Sequence, residues 1–445
     1  MSQRTAILTQ IAGIRGWKVK TDRWESKDGR QIEAVAGYDV PADARLVLVV
    51  ERRWSPRCAK CLALGGTCHE KLAVRRWADL PACGHPVIIE YAPERIRCKR
   101  CGARAVELLA WADGHQRQTR RLQHHLALDA FSMPLVHVST KWGLSWHTVR
   151  RAELCAIERW DKTTPQPALT MVGVDEKWLG RRHKRQEKFV TIVSDLATGV
   201  PIWMGYGRGS ETLKTWLDSL STEQKAAIQL FATDMHEPFR KAIREDPALA
   251  HAAHVHDPFH IIKRAGEALT ELRRSVFFRA GAELRAIGKG TRWLVLRAWE
   301  RQSVEQQARL RQLFRLNGKL ARAYQLVEEL RTVLRAPDRR SLYDGLWHIL
   351  RRTERRDNVP MRKLHESLRE HFDQIVALGE LRPPTGRIEA LNNNWETLVR
   401  RARGYRNHAY LLAKLRFITA NPVRSSSGIK RFLALGIPTP TARAA

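Results

Sequence analysis

The stretch LTMVGVDEKWLG (residues 169–180) runs apolar through Val174 and then meets a carboxylate, Asp175. Three more runs of strand length follow it: EKFVTIVSDL (187–196), VPIWMGYGRG (200–209) and IQLFATD (228–234). Turn signals such as ATGV separate them. The first three read as an antiparallel meander. A helix over about 209–220 leads into the fourth run, and AHVHD (253–257) supplies a fifth strand. From about 258 to 380 apolar residues recur every three or four positions, the period of helix. Strands followed by a long helical tract make this a mixed α+β chain.

Upstream, residues 1–55 form a strand-rich region with runs such as LVLVV (46–50). Residues 56–111 hold six of the seven cysteines, and 112–162 read mainly as helices. TTPQP (163–167) is a Pro/Thr linker and a plausible boundary. After it come a first core segment (168–264), a helical insertion (265–382), a second core segment (383–424) and a loosely held tail (425–445).

Lys and Arg number 78 against 46 Asp and Glu, a formal net charge of +32 in 445 residues. So positive a chain repels itself unless something anionic lies against it, and nucleic acid is the natural partner. The first twenty residues lack the continuous apolar core of a signal peptide, and no stretch reaches the eighteen apolar residues of a membrane span. The expected place is the cytoplasm, associated with the nucleoid, with no membrane partner.

RCAKC (57–61) and RCKRCG (97–102) give CxxC, thirty-six intervening residues and CxxCG. Two such knuckles complete a tetrahedral site of four thiolates, so Cys58, Cys61, Cys98 and Cys101 are expected to hold one structural zinc ion in a ribbon-like module. A redox use of CxxC is the alternative. Cys68, Cys83, His69 and His85 lie between the knuckles; any could replace a ligand, but they read as bystanders or core residues. A module this small has little core of its own, so zinc should supply much of its folding energy.

SMPLVHVSTKWGLSWHTVRRAELCAIERW (132–160) has the order of a helix-turn-helix. Pro134 starts a helix, Gly143 makes the turn and Ser145 caps the next helix. Trp146, His147, Arg150 and Arg151 would stand near the start of the second helix, where a recognition helix meets bases and phosphates. An ordinary helical hairpin with solvated arginines is the bland alternative.

Asp175 and Asp234 each end an apolar strand. One such Asp is commonly a cap or turn residue; two on neighbouring strands suggest a shared cation. A helix from about Gly386 has Ile388, Leu391, Trp395, Leu398, Val399 and Ala402 on one side. Glu389, Asn392, Asn393, Glu396, Arg400 and Arg403 fall on the other. With Glu389 joining the two aspartates, three acids suffice for two Mg²⁺ (or Mn²⁺) ions, the arrangement of phosphodiester chemistry. Asn392, Asn393, Arg400, Arg401, Arg403 and Arg406 would lie on a phosphate backbone. Asp257 competes for the place of second acid, and His260 either assists the site or packs. Glu176 and Asp195 read as structural. Trp293, Trp299 and Trp347 are expected to pack the core of the insertion; stacking on an unpaired base is the alternative.

At these motifs the chain resembles the DDE transposases of bacterial insertion sequences, more narrowly the ISL-three group. The resemblance spans nearly the whole length in order: paired CxxC, helix-turn-helix, VGVDEKW, TDMHEPF, HDPFHIIK, a helical insertion and TGRIEALNNNWETLVRRARGYRN. It implies a catalytic triad of Asp175, Asp234 and Glu389 on a ribonuclease-H-like fold. It also implies binding of terminal inverted repeats and target DNA, 3′-end cleavage followed by strand transfer, and a homodimer or larger assembly. One departure concerns DNA contacts: the group often has Lys after the asparagine pair, where this chain has Asn394 and Trp395. A DNA-binding regulator without catalysis and a metal-dependent nuclease are the rival readings.

Overall fold

The computed structural model describes residues 3–14, 16–33, 40–164, 168–179, 188–279, 281–353, 358–402 and 405–437. The chain divides into two compact units: residues 1–165 together with 397–445, and residues 166–396.

The first unit holds two sheets. Strands β1 (Trp17–Glu25), β2 (Gln31–Ile32), β3 (Arg45–Arg52), β5 (Arg75–Ala82) and β6 (His85–Tyr91) form one, in the order β2-β1-β3-β6-β5. β4 (Gly66–Lys71), β7 (Glu94–Cys98) and β8 (Arg104–Val106) form the other. A boundary at residue 55 is therefore not observed. β3 pairs in parallel with β6, so strands from the cysteine-rich segment complete the N-terminal sheet. Its core gathers Val19, Leu46, Leu48, Val50, Val87 and Ile89 with Trp17, Trp77 and Trp111, whose rings meet edge-on.

Three helices follow, Arg120–Ser132, Leu135–Trp142 and Trp146–Thr163, around Leu122, Leu126, Val138, Val149 and Ala152. Of the expected tail, the described residues 425–437 begin with a docked helix. Ser425 caps a helix over Ser426–Ala434, and Phe432 is buried with Phe417, Trp160 and Ile157. Leu433 and Leu435 pack beside it and help to dock the helix. In the helix His408–Ala420, Lys414 pairs with the fully buried Glu153 at 2.9 Å, and the Tyr410 hydroxyl donates to the same carboxylate. A buried charge without such partners would cost several kcal/mol.

The second unit is built on a five-stranded mixed sheet: β9 (Met171–Trp178), β10 (Phe189–Asp195), β11 (Pro201–Tyr206), β12 (Leu230–Thr233) and β13 (Ala253–His256). The order is β11-β10-β9-β12-β13. The first three strands are antiparallel, as the short connections require, and β12 runs parallel to both β9 and β13. Strand alternation divides the side chains between two faces. Val172, Val174 and Phe231 join Leu213, Trp216, Phe239 and Ile243 on one. Leu230, Ala232 and Val255 join Ile261, the long helical tract and Ile388 on the other. Among the described residues the expected insertion is thus helices and their connections, and its apolar residues continue the core of the sheet.

Two of its three tryptophans differ from the expectation. Trp293 is 69% exposed and Trp347 50% exposed, and Trp299 is only partly buried against the core. Leucines, isoleucines and valines fill that interior instead. No helix among the described residues is long and apolar enough to cross a membrane.

Candidate functional site

Asp175 sits near the end of β9 on the face shared with Gly173, and Asp234 directly follows β12. The register pairs Thr233 with Val174, so the next residues along these parallel strands are Asp234 and Asp175. Alternation places Asp234 on the same face as Leu230 and Ala232. A glycine at 173 is what lets a helix approach that face: a Cβ there would stand 2.7 Å from Leu196 Cδ2, 2.8 Å from Ser194 Oγ and 3.2 Å from Ile388 Cδ1.

That helix is Gly386–Ala402. It buries Ile388, Leu391, Trp395 and Leu398, as its period foretells, whereas Val399 is half-buried and Ala402 exposed. Asn392 Nδ2 donates to Asp175 Oδ2 at 2.9 Å. Asn392 was expected on a phosphate backbone; its amide is given to the aspartate instead. Glu389, three residues earlier, is exposed one turn away on the same helix.

The three acids do not close into one cluster. Among the described residues, only the four zinc-type cysteines bring three or more donor atoms within 4.8 Å of one another. A two-metal set does not need that closeness. Ions about 3.5–4 Å apart with ligand bonds near 2.1 Å separate the outermost ligand oxygens by up to about 8 Å.

Asp234 feels its neighbours. Burial, then the charges of Asp175 and Glu176, push Asp234 up to about 7, against the His236 amide and Lys263. Asp175 lies 3.3 Å from Lys177 Nζ. His260 Nε2 stands 4.0 Å from both Asp175 Oδ1 and Asp257 Oδ2, beyond hydrogen-bond reach of either. Asp257, the competing acid, caps the helix Pro258–Phe277 by accepting from the Phe259 amide at 3.0 Å. Burial nevertheless raises its pKa. Asp195 serves a turn, accepting from the Ala197 and Thr198 amides. Glu176 faces Arg208 at 3.5 Å.

A histidine pair behind Asp234 gave no signal in the sequence. His256 Nδ1 lies 3.1 Å from the Asp234 carbonyl oxygen, and its Nε2 lies 3.1 Å from His371 Nδ1. The Thr233 hydroxyl donates to the same carbonyl at 2.7 Å. Burial pushes His256 down to about 3. No periodicity links positions 115 residues apart.

The donor set suits hard divalent cations. It offers carboxylates at adjacent strand ends, one held above its usual range by burial and then by the other's charge, and beside them the Asn392 carbonyl oxygen, buried without a hydrogen-bond partner.

In the first unit the cysteines converge as expected. Cys58 and Cys101 sulfurs lie 3.8 Å apart, and Cys61 and Cys98 3.6 Å. A tetrahedron with metal–sulfur bonds near 2.3 Å has edges of about 3.8 Å. The two knuckles repeat one backbone plan. Leu62 N donates to Cys58 O and Gly102 N to Cys98 O, both at 3.0 Å, and Leu62 and Gly102 both take positive φ. Cys68, Cys83 and His69 are exposed, and His85 contacts the Ala44 carbonyl. None of these four joins the cluster.

The helix-turn-helix forms as read. Gly143 ends the first helix at φ 60°, a conformation glycine adopts without strain. The Ser145 side chain accepts from the Thr148 amide at 3.2 Å and starts the second helix. Trp146, His147 and Arg151 are exposed and Arg150 is half-buried. Arg401 donates to the Phe131 carbonyl, which ties it to this unit. Asn393, Arg400 and Arg406 are exposed, and Arg403 lies outside the described residues.

Residues 172–415 match the DDE transposase family of the ISL3 (ISL-three) type. The chain belongs to that family. Residues 107–153 of this transposase match the helix-turn-helix domain of the same family, so the module over 132–160 is a DNA-binding one. The transposase is 26% identical to the transposase for insertion sequence element IS1001 of Bordetella parapertussis over 414 residues, 92% of this chain and 97% of that one. It is 25% identical to the transposase for insertion sequence element IS1557 of Mycobacterium tuberculosis over 390 residues, 80% of this chain and 84% of that one. The protein is therefore a DNA-binding enzyme of insertion sequences, and membership in the DDE family implies use of a divalent metal.

Proposed function

We propose that Asp175, Asp234 and Glu389 are the catalytic acids and hold two Mg²⁺ (or Mn²⁺) ions, on a ribonuclease-H-like core. The carrying observation is the juxtaposition of two aspartates at matching strand ends, with the Glu389 helix bonded to one of them through Asn392. The order of the strands, third-second-first-fourth-fifth with the last two parallel to the first, supports that core. When bound, such ions activate the attacking oxygen and stabilise the leaving oxygen of an in-line displacement at phosphorus. The chain's own residues supply the rest. Asn392 fixes the Asp175 carboxylate, and the His256 ring and Thr233 hydroxyl fix the Asp234 backbone. Lys177 and Lys263 bring positive charge to the rim for the phosphate.

The helix-turn-helix would bind the terminal inverted repeats, with Trp146, His147, Arg150 and Arg151 at the DNA. Asn393, Arg400, Arg401, Arg403 and Arg406 remain the proposed backbone contacts. Cleavage would free a 3′-hydroxyl, which then attacks target DNA. Two ends must be joined, so a homodimer or larger assembly follows. One structural Zn²⁺ on Cys58, Cys61, Cys98 and Cys101 would hold the N-terminal module, the sulfur spacing being its support. The place of action would be the nucleoid.

The test is cleavage and joining of an end-containing duplex in Mg²⁺. Asp234→Asn should abolish both and leave binding of the ends intact. Unchanged joining by that variant defeats the assignment.

A further inference from the structure

The helix-turn-helix carries a feature that reading base edges does not require. A cavity of about 700 Å³ opens beside the start of its second helix. That size falls in the range of small-ligand sites, roughly 300–1,000 Å³. Its lining combines the rings of Trp146, Tyr405 and Tyr410 with the cations Arg150 and Arg406, and Val136 sits at its edge, 61% exposed. The Arg150 guanidinium lies between two of the rings, 5.3 Å from the Trp146 centroid and 5.9 Å from that of Tyr410. Tyr410 lines the cavity while its hydroxyl donates to Glu153, and Lys414 lies 5.8 Å from its ring. Arg150 and Arg406 have no carboxylate partner among the described residues.

Aromatic faces, a guanidinium plane and two cations without acidic partners match one ligand chemistry: a flat nucleobase on a phosphodiester. Every base has a π-face, so stacking of this kind tolerates any sequence. A paired base cannot enter a concavity; it must first leave the duplex, at a cost of a few kcal/mol that a mismatched or single-stranded base largely escapes. A protein side chain would bring no phosphate for the arginines.

We propose that this cavity receives one unpaired nucleotide of the DNA held by the helix-turn-helix, the base against the rings and Arg150, the phosphate toward Arg406. This rests on reading Trp146–Thr163 as the DNA-recognition helix.

The probe is a duplex of the DNA that flanks the coding region, carrying a one-nucleotide bulge moved along it position by position. Each bulged duplex is compared with the same bulge made abasic, so that only the base differs. Binding is measured by fluorescence anisotropy with the full-length protein. At one position the base-bearing bulge should bind about tenfold tighter than the abasic one, the scale of a single base–aromatic stack. Val136→Trp, an exposed position whose larger ring would occupy part of the cavity in place of the base, should bring that ratio to within about twofold, by loss of the same stack. A ratio near one at every position overturns the proposal while leaving the recognition helix intact. A ratio that Val136→Trp does not change also overturns it. Failure to bind any flanking duplex, bulged or paired, above unrelated DNA instead overturns the reading of the recognition helix.

Discussion

Metal binding at the proposed Asp234 site should depend on pH. Burial and the Asp175 charge hold its carboxyl at about 7 in the metal-free protein. A divalent ion needs the deprotonated form, so binding must expel that proton. With a pKa of 7, about half the molecules are ready at pH 7 and about 1% at pH 5. The apparent affinity for Mn²⁺ should therefore fall about 50-fold between those values, a difference of about 2 kcal/mol, and level off above pH 8. An aspartate at its ordinary value near 4 would give a change of only about 10% over the same range. The assay is titration of the protein with Mn²⁺, following the electron paramagnetic resonance of the free ion. Chelators are left out so that the proposed zinc site is undisturbed. Asp234→Asn should bind more weakly and without the slope. A flat profile for the native protein, or the same slope in the variant, refutes the reasoning. The linkage has a second face. A carboxyl raised in the fold favours the protonated state, so metal-free stability is highest below the unfolded value near 4. It is lost as pH rises to about 7, by up to about 4 kcal/mol. Added Mg²⁺ should restore it.

Gly173→Val should destabilise the protein by about 1–3 kcal/mol through overpacking against Leu196, Ser194 and Ile388. It should also lower end cleavage more than end binding, because the Glu389 helix is displaced; thermal melting and a gel assay report the two. His256→Leu leaves the Asp234 carbonyl one donor short, a loss of about 1–3 kcal/mol, and should weaken Mn²⁺ binding. His256→Asn, whose amide replaces the Nδ1 donor, should recover most of it, and equal weakening by both variants would count against the bond. Stripping the metal from Cys58, Cys61, Cys98 and Cys101 should unfold the cysteine module and weaken recognition of the ends. Mn²⁺ binding at Asp175 and Asp234 should persist; equal end affinity with and without that metal contradicts the role.

What the sequence disclosed was local. Five apolar runs announced five strands because a buried strand must be apolar and must end at a turn. Pro134, Gly143 and Ser145 announced two helices because each satisfies or ends backbone hydrogen bonding at its own position. CxxC spacing announced the thiolate cluster because a metal demands four sulfurs at one distance. What stayed hidden was long-range. Asn392 looked like one more polar residue on a basic helix, and only its packing gave its amide to Asp175. His256 and His371 met through tertiary contact alone. The parallel pairing of β3 with β6 erased the boundary expected at residue 55, since a strand carries no mark of its partner. Trp293 and Trp347 are large and apolar, yet aliphatic side chains had already filled the interior.

Strand alternation imposes an asymmetry on how this enzyme can drift in length. Adding or deleting a single residue within Leu230–Thr233 would rotate Asp234 to the opposite side of the sheet, among Phe231 and Phe239, and no compensating substitution nearby would return it. Of the 154 positions between Asp234 and Glu389, those beyond β13 carry no such parity, because turns joining helices absorb length without reversing a face. Descendants of this chain should therefore vary freely in those connections and hardly at all in the count of four residues ahead of the second aspartate.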